Sequence, residues 1–318
     1  MLVARRTVNI RSMSQSIEVR LIASSGYPHD VAIAARGCAW LKHHGYHVNN
    51  PDILARRYLR FGGTDAERLA DLHAIGTGPA GELTLAVRGG YGLARLLGEI
   101  DFQRIAEQAR ASGTPIVGHS DFTAFQLAYL AATGGVTFAG PMLLADFGGE
   151  HVDPFMWQHF EGILRDPAYR VEVAAPQATA ARTVEGTLWG GNLAMLCSLL
   201  GTPYLPKVDG GILFLEDINE PPYRVERMLL QLLQAGVLAT QQAIVLGDFS
   251  NYRTTDYDNG YDMDAVFDYL RARLDVPVLT GLPFGHCPRK LTLPVGAQAR
   301  LAAGGDGFTL EFSGYPTL

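Results

Sequence analysis

A hydroxyl, an imidazole and a carboxylate stand at places in this sequence where they could form a nucleophilic triad. The hydroxyl is that of Ser120, which follows the apolar run TPIVG and precedes a helix predicted to begin at Asp121 or Phe122. Unpaired N–H groups at the start of a helix can hold an oxyanion, so the position suits a nucleophile. Serine is equally a favoured N-cap residue, and position alone does not separate the two interpretations.

A serine nucleophile needs a base, and the histidines differ in how well their surroundings suit that task. His286 lies in the turn-rich segment LPFGHCPRK, where a loop could deliver the imidazole into a cleft, although loop histidines are often inert. His119 is the neighbour of Ser120, and neighbours in extended chain point to opposite faces, which makes it a poor base. Three histidines cluster at one predicted helix end without the spacing of a zinc site: His43, His44 and His47.

The orienting acid is predicted at the end of the apolar strand GGILFLED, which closes with Glu216 and Asp217. Alternate strand residues face opposite sides, so one of the two carboxylates can face a cleft. The alternative is structural: Asp217 or Glu220 caps the helix that starts at the following prolines, and Glu216 pairs with Arg224.

The segment VRGGYG, residues 87–92, follows the strand LTLAV and is predicted to open a helix over YGLARLLGEI. It is a weak nucleotide fingerprint, because Gly90 and Gly92 match GxGxxG but Arg95 occupies the third glycine position. Its alternative use is a cradle for an anion or oxyanion. Cys287, next to His286, is interpreted as a small packing residue because nothing in the sequence would lower the pKa of its thiol.

These motifs are placed by strands that alternate with helices from Ile17 onwards, the pattern of an α/β fold with a parallel sheet. Ligands of such sheets bind at the carboxyl ends of the strands, where LTLAV and TPIVG end. Past residue 141 the composition shifts toward aromatic and turn residues, and a second, more β-rich α/β unit follows. We therefore predict two domains, residues 17–160 and 176–318, after a loose extension over residues 1–16.

Composition excludes several other classes of protein. The 318 residues are 47% hydrophobic and 18% charged, as in a folded globular chain. A formal net charge of −6 offers no field to attract nucleic acid or anionic lipid. No signal peptide or membrane span is recognisable. The three cysteines form no CxxC pair, which predicts neither a zinc site nor a disulfide framework and fits a reducing cytoplasm.

Seven segments, in order along nearly the whole chain from about residue 17, resemble the LD-carboxypeptidase family, the muramoyltetrapeptide carboxypeptidases. They are FGGTDAERLADLHA, VRGGYGLARLL, GHSDFTAF, FAGPM, LWGGNLAMLCSLLGTPYLP, ILFLEDINEPPYRVERMLLQL and LPFGHCPRKLTLPVG. Members are serine peptidases with a Ser-Glu-His triad. The resemblance implies a Rossmann-like N-terminal domain that carries the nucleophile, a swivelling C-terminal domain that carries the glutamate and histidine, and an active site between them.

Carried onto this sequence, the resemblance implies Ser120 as nucleophile, Glu216 as orienting acid and His286 as general base. The implied oxyanion donors are the backbone N–H of Asp121 and that of Gly89 or Gly90. Two positions depart from the family's usual residues: His119 stands where tyrosine or phenylalanine is usual, and Phe122 where isoleucine is usual. Neither departure removes a catalytic group.

The resulting expectation is a cytoplasmic L,D-carboxypeptidase, a homodimer without metal or organic cofactor, that releases terminal D-alanine from murein tetrapeptides in peptidoglycan recycling. Arg88 is a candidate for binding the D-alanine carboxylate, or equally a structural residue. The nearest rival is a peptidase of the microcin C resistance type, which cuts peptidyl- or aminoacyl-nucleotides and would need an aromatic platform such as Trp189. A rival of another class is a non-catalytic muropeptide-binding protein.

Overall fold

The first half of the chain alternates strand and helix, as the sequence pattern predicts. The computed structural model describes residues 16–176 and 181–318, so the predicted extension lies outside the described residues except for its last one. The elements of this half are β1 (Ile17–Ile22), α1 (Val31–His43), β2 (Tyr46–Val48), α2 (Asp65–His73), β3 (Leu83–Ala86), α3 (Phe102–Ser112), β4 (Ile116–Gly118), α4 (Thr123–Thr133), β5 (Thr137–Ala139) and α5 (Pro154–Arg165). The five strands pair in parallel in the order β5-β4-β3-β1-β2.

The second half is richer in strands. Its elements are β6 (Arg170–Val173), β7 (Arg182–Asn192), α6 (Leu193–Ser198), β8 (Ile212–Ile218), α7 (Pro222–Gln234), β9 (Ala243–Ser250), α8 (Met263–Arg271), β10 (Val278–Leu279), β11 (Leu293–Val295), β12 (Gln298–Gly304) and β13 (Gly307–Ser313). A seven-stranded sheet runs β10-β9-β8-β7-β12-β13-β6, parallel from β10 to β7 and antiparallel beyond. Strand β11 belongs to the first sheet, where it pairs antiparallel with β5 and makes that sheet six-stranded.

Local sequence signals explain several of these elements. Helix α1 begins after Asp30, whose carboxylate accepts the N–H groups of Ala32 and Ile33, and α2 begins with a capping box between Thr64 and Glu67. Strand β8 opens with four fully buried apolar residues, as expected of a central strand, here paired with β7 and β9, in a parallel sheet whose two faces are covered. The α/β class predicted from the sequence is confirmed. The division into residues 17–160 and 176–318 stays a prediction.

The helix predicted over YGLARLLGEI is wrong. Residues Leu93–Arg95 and Leu97–Glu99 form two separate single turns of 3₁₀-helix. The backbone there is diverted because Gly92 has φ 158° and the N–H of Leu93 donates to a carboxylate from another element. Gly98, inside the second turn, is in addition a weak helix former.

The two sheets bring several strand ends together. The chain leaves β3 into the glycine-rich segment 87–92 and leaves β4 two residues before Ser120, and Ile218 at the end of β8 lines the same cavity as both. None of the helices in the described part of the chain has the length and apolar character of a membrane span. The site predicted from the sequence therefore lies where the first sheet faces the second.

Candidate active site

Ser120 sits in a strained turn between β4 and α4. Its φ is 64°, a left-handed conformation that is unusual for a residue with a side chain and that tends to occur at functional sites. Gly89 lies directly against it, since a Cβ built on Gly89 would stand 2.7 Å from both Cβ and Oγ of Ser120. The turn thus points the hydroxyl at the glycine-rich loop, and only a residue without a side chain fits opposite it.

The hydroxyl of Ser120 is bonded to His286 and caps no helix. The distance between Ser120 Oγ and His286 Nε2 is 3.0 Å, and His286 Nδ1 lies 2.7 Å from Glu216 Oε2. Gly285, with φ 145°, turns the chain just before the imidazole. Burial opposes the imidazolium, but the hydrogen bond and charge of Glu216 outweigh it and raise the pKa of His286 above its ordinary value. The three side chains form one continuous hydrogen-bonded chain.

Glu216 is completely buried at the end of β8. Its second oxygen, Oε1, accepts from Asn192 Nδ2 at 3.1 Å, and the same amide donates to Asp217 at 3.0 Å. The structural alternative for Glu216 is wrong, because Arg224 pairs with Glu220 instead, at 2.7 Å. Burial and the neighbouring charge of Glu216 raise the pKa of Asp217 to about 6.

Asp121 connects the nucleophile turn to the glycine-rich loop. Its Oδ2 accepts from Ser25 Oγ at 2.6 Å and from the N–H of Leu93 at 3.1 Å, and the side chain is almost fully buried. Burial raises the pKa of this carboxyl. The backbone N–H of Asp121 lies about 3.4 Å from the position of a Cβ on Gly89. The two segments implied to supply oxyanion donors therefore meet at Ser120.

A cleft of about 570 Å³ opens over Ser120 and His286. Gly89, Gly90 and Arg88 line it, as does Arg36 from α1. The guanidinium of Arg88 donates to the carbonyls of Gly89 and Tyr27, each at 3.2 Å, and contacts His29 Nδ1 at 3.1 Å. Arg88 therefore has a structural function in the loop as well as access to the cleft.

Sequence reasoning missed three residues around the triad, Asn192, Lys290 and Asp146, and gave His119 no part in the site. Asn192 bridges the two carboxylates of β8, and Lys290 and Asp146 form a buried ion pair. His119 is buried with its ring 5.1 Å from that of His286, and Nδ1 contacts the carbonyl of Gly140. Burial, then the charges of Lys290 and His286, hold its pKa well below the ordinary value. Of the three missed residues, only Asn192 had a visible signal, as a polar residue at the end of an apolar strand.

The arrangement supports nucleophilic acyl transfer. A serine hydroxyl, a histidine within hydrogen-bond reach and a carboxylate behind that histidine are the parts that such chemistry requires. In the described ranges, no group of three histidine, cysteine or acidic side chains is placed to hold a metal ion. Cys287 is half-buried, and burial followed by the charge of Asp248 raises the pKa of its thiol to about 11, as befits a packing residue.

Comparison with known proteins gives matches over most of the chain. The profile of the LD-carboxypeptidase N-terminal domain matches residues 19–140, and that of the LD-carboxypeptidase C-terminal domain matches residues 185–301. A probable murein peptide carboxypeptidase of Bacillus subtilis is 33% identical over 264 residues, 82% of either chain.

Two solved structures extend the comparison. The muramoyltetrapeptide carboxypeptidase of Oxalobacter formigenes is 43% identical, with a TM-score of 0.86 over 94% of this chain and 100% of that one. The microcin C7 self immunity protein MccF is 24% identical, with a TM-score of 0.80 over 96% and 98% of the two chains. At that identity the second likeness shows a shared fold.

Proposed function

This chain belongs to the LD-carboxypeptidase family, and we propose that it is a serine L,D-carboxypeptidase that releases the terminal D-alanine of murein tetrapeptides. One observation carries the proposal: the unbroken hydrogen-bonded chain from Ser120 through His286 to Glu216 at the floor of an open cleft. The similarity to a muramoyltetrapeptide carboxypeptidase supports the choice of substrate.

In the proposed mechanism, His286 Nε2 takes the proton of Ser120 as Oγ attacks the carbonyl carbon that precedes D-alanine. The N–H of Asp121 and that of Gly89 or Gly90 stabilise the oxyanion. His286 then gives the proton to the departing amine of D-alanine, and an acyl-enzyme remains on Ser120. Water, deprotonated by His286, hydrolyses this ester. Glu216 holds the imidazole in the required tautomer throughout.

An exopeptidase must also recognise the free carboxylate of D-alanine, and we assign this task to Arg88. Its guanidinium lines the cleft beside the loop that faces the nucleophile, and Nη2, which takes no part in the contacts to Gly89, Tyr27 and His29, can donate a charge-assisted hydrogen bond to a carboxylate. The contacts to Gly89, Tyr27 and His29 hold the group in place before substrate arrives.

The test is D-alanine release from a disaccharide tetrapeptide and from its D,D-pentapeptide counterpart, with wild-type protein and Ser120→Ala. Release from the tetrapeptide alone, abolished by the substitution, is the expected result. Binding of the tetrapeptide without turnover by the wild type would instead indicate a muropeptide-binding protein.

The rival function, cleavage of aminoacyl-nucleotides, is tested with an aminoacyl-sulfamoyl adenylate in the same assay. The structure gives little support to this rival function, because the aromatic residue that would stack on the nucleotide base is not accessible. Trp189 is 1% exposed and its indole N–H donates to Gln241 at 2.8 Å, so the ring is packed inside the protein and presents no platform for a base. Turnover of this compound in place of the tetrapeptide would move the protein to the nucleotide-cleaving branch.

We also propose that the enzyme acts in the cytoplasm as a homodimer. Its three cysteines are unpaired, as a reducing compartment would keep them. Exposed apolar side chains of Tyr58 and Leu59 offer surface that a second copy could cover. Light scattering coupled to size exclusion tests the dimer, and fractionation of the native cell tests the compartment.

A further inference from the structure

A buried ion pair lies beside the triad and takes no part in the proposed reaction. Lys290 Nζ is 2.7 Å from Asp146 Oδ1, and the two side chains are only 2% and 3% exposed. Asp146 Oδ2 also accepts the N–H of Met142 at 2.7 Å. Both charges are therefore withdrawn from water and matched to each other within the protein.

The pair connects the segment that carries the catalytic histidine to the wall of the cleft. Lys290 follows His286 by four residues in the irregular chain between β10 and β11, and this segment is closed at its base by the bond from the N–H of Leu291 to the carbonyl of Pro283, 2.7 Å. Asp146 belongs to a single π-helical turn after β5, Leu143–Phe147, whose Leu144 and Ala145 line the cleft. Such turns are frequent at functional sites.

A buried ion pair is weak evidence for stability, because removing two charges from water costs about as much as their attraction returns. The presence of a buried ion pair beside the proposed catalytic site therefore needs an explanation other than stability. We propose, on the basis of the function proposed above, that Lys290 and Asp146 are positioning residues that fix the His286 segment against the cleft wall and balance the charge facing the catalytic imidazole.

Charged and titratable groups face His286 from several elements. Glu216 and Asp217 approach from β8, His119 from the turn after β4, and Asp248 from β9 lies against Gly285. Cys287 and Lys290 belong to the same segment as His286. The charge of Lys290 opposes protonation of both His286 and His119, whereas Glu216 favours protonation of His286. Asp146 offsets the lysine, so removing either partner changes the field at the imidazole in opposite directions.

The experiment measures the pH dependence of Ser120 labelling by a small fluorophosphonate in wild type, Lys290→Met and Asp146→Asn. Labelling requires neutral His286, so the rate falls on the acid side. In Lys290→Met the remaining carboxylate favours the imidazolium, and the acid limb should move up by about half a pH unit or more. In Asp146→Asn the remaining ammonium disfavours it, and the limb should move down. Lys207→Met, an exposed lysine outside the site, is the matched control and should leave the limb in place.

The double variant Lys290→Met/Asp146→Asn separates the effect of charge on His286 from the effect of holding its segment in place. It also provides a test if a single variant does not fold. Its limb should return near the wild-type pH, while labelling stays at least about tenfold slower because the segment is no longer held. The proposal would be overturned if the acid limb of the labelling rate stayed in place in both single variants, or if it moved in the same direction in both. It would also be overturned if the double variant were labelled at the wild-type rate. Fluorophosphonate labelling does not depend on peptide substrate. Failure to release D-alanine would therefore contradict the proposed function, whereas the labelling experiment would still test the role of Lys290 and Asp146.

Discussion

The serine and histidine of the site meet because two unusual backbone conformations bring them together. Ser120 has φ 64° and Gly285, just before the histidine, has φ 145°. A glycine adopts such a φ without strain, but at Ser120 it is strain that persists only where the surroundings enforce it, and here Gly89, Asp121 and the buried Glu216 do so. Substitutions at single positions should therefore affect catalysis far more than stability.

Replacing Glu216 with glutamine should lower kcat by roughly 10² to 10⁴, because the amide no longer fixes the imidazole in the right tautomer. Loss of the carboxylate also removes the interaction that raises the pKa of His286, so the acid limb of kcat/KM should move to lower pH. A pH series of D-alanine release measures both effects. Glu107→Gln, an exposed glutamate of α3, is the control. An acid limb that moves up in Glu216→Gln would contradict this account.

Gly89→Ala should reduce kcat by about a hundredfold or more with a modest loss of stability. The added Cβ would stand 2.7 Å from Cβ and Oγ of Ser120, so the oxyanion loop or the nucleophile must move. Gly98→Ala is the matched control, because its Cβ would meet only the hydroxyl of Tyr204 at an ordinary 3.6 Å. Kinetics and thermal unfolding of both variants test the prediction. Equal activity of the two variants would show that Gly89 does not limit the approach of the loop.

At the scale of secondary-structure elements, β8 carries two neighbouring carboxylates that have different hydrogen-bond partners. The carboxylate of Glu216 is hydrogen-bonded to His286. That of Asp217 accepts hydrogen bonds from Asn192, Ala194 and Ile218 at the end of the strand. Because the pKa of Asp217 is raised to about 6 in the folded state, the folded protein binds a proton there that the unfolded chain releases near pH 4. This group therefore makes the protein less stable as pH rises from about 4 to about 6.

Asp217→Asn should reveal that dependence. The substitution destabilises the protein through its lost hydrogen bonds, but the loss should shrink between pH 4 and pH 7 by up to about 3 kcal/mol, since only the wild type bears the cost of ionising the carboxyl. Denaturant unfolding of both proteins across this range measures the difference. A destabilisation that stays constant or grows with pH would mean that the carboxyl is not protonated in the folded protein near pH 5.

The elements differ in how well the sequence predicted them, and the reasons are physical. A continuous apolar run such as β8 is easy to predict as a strand because a central strand is buried on both faces. Ser120 and Glu216 were found because ligands of such sheets bind at the carboxyl ends of the strands. The segment after Gly92 was misjudged because a contact with Asp121, distant in sequence, overrode its helical pattern. Lys290 and Asp146 were missed because a lysine in a loop signals solvent exposure, and only the folded chain pairs it inside.

At the scale of the whole molecule, the proposed active site lies where the two sheets meet. Ser120 comes from the first sheet, and Glu216 comes from the second. His286 lies on the chain that leaves β10 in the second sheet and enters the first as β11. The contact between Thr123, at the start of α4, and the end of β7 holds these parts in register: Thr123 Oγ1 accepts the N–H of Asn192 at 3.1 Å. The spacing between the sheets at this contact should therefore control catalysis.

Gly191→Ala tests that dependence. A Cβ on Gly191 would stand 2.7 Å from Thr123 Oγ1, and φ 130° already strains any side chain, so the end of β7 must move away from α4 and carry Asn192 and Glu216 with it. We expect a kcat loss of about tenfold to a hundredfold with KM changed less, because the triad is misaligned while the cleft persists.

The second-site variant Thr123→Ala removes the atom that the new Cβ meets first. If spacing is the cause, the double variant Thr123→Ala/Gly191→Ala should recover part of the activity lost by Gly191→Ala, a positive coupling in a double-mutant cycle. Strictly additive losses would assign the effect to backbone strain within β7 alone and would separate catalysis from the register of the two sheets.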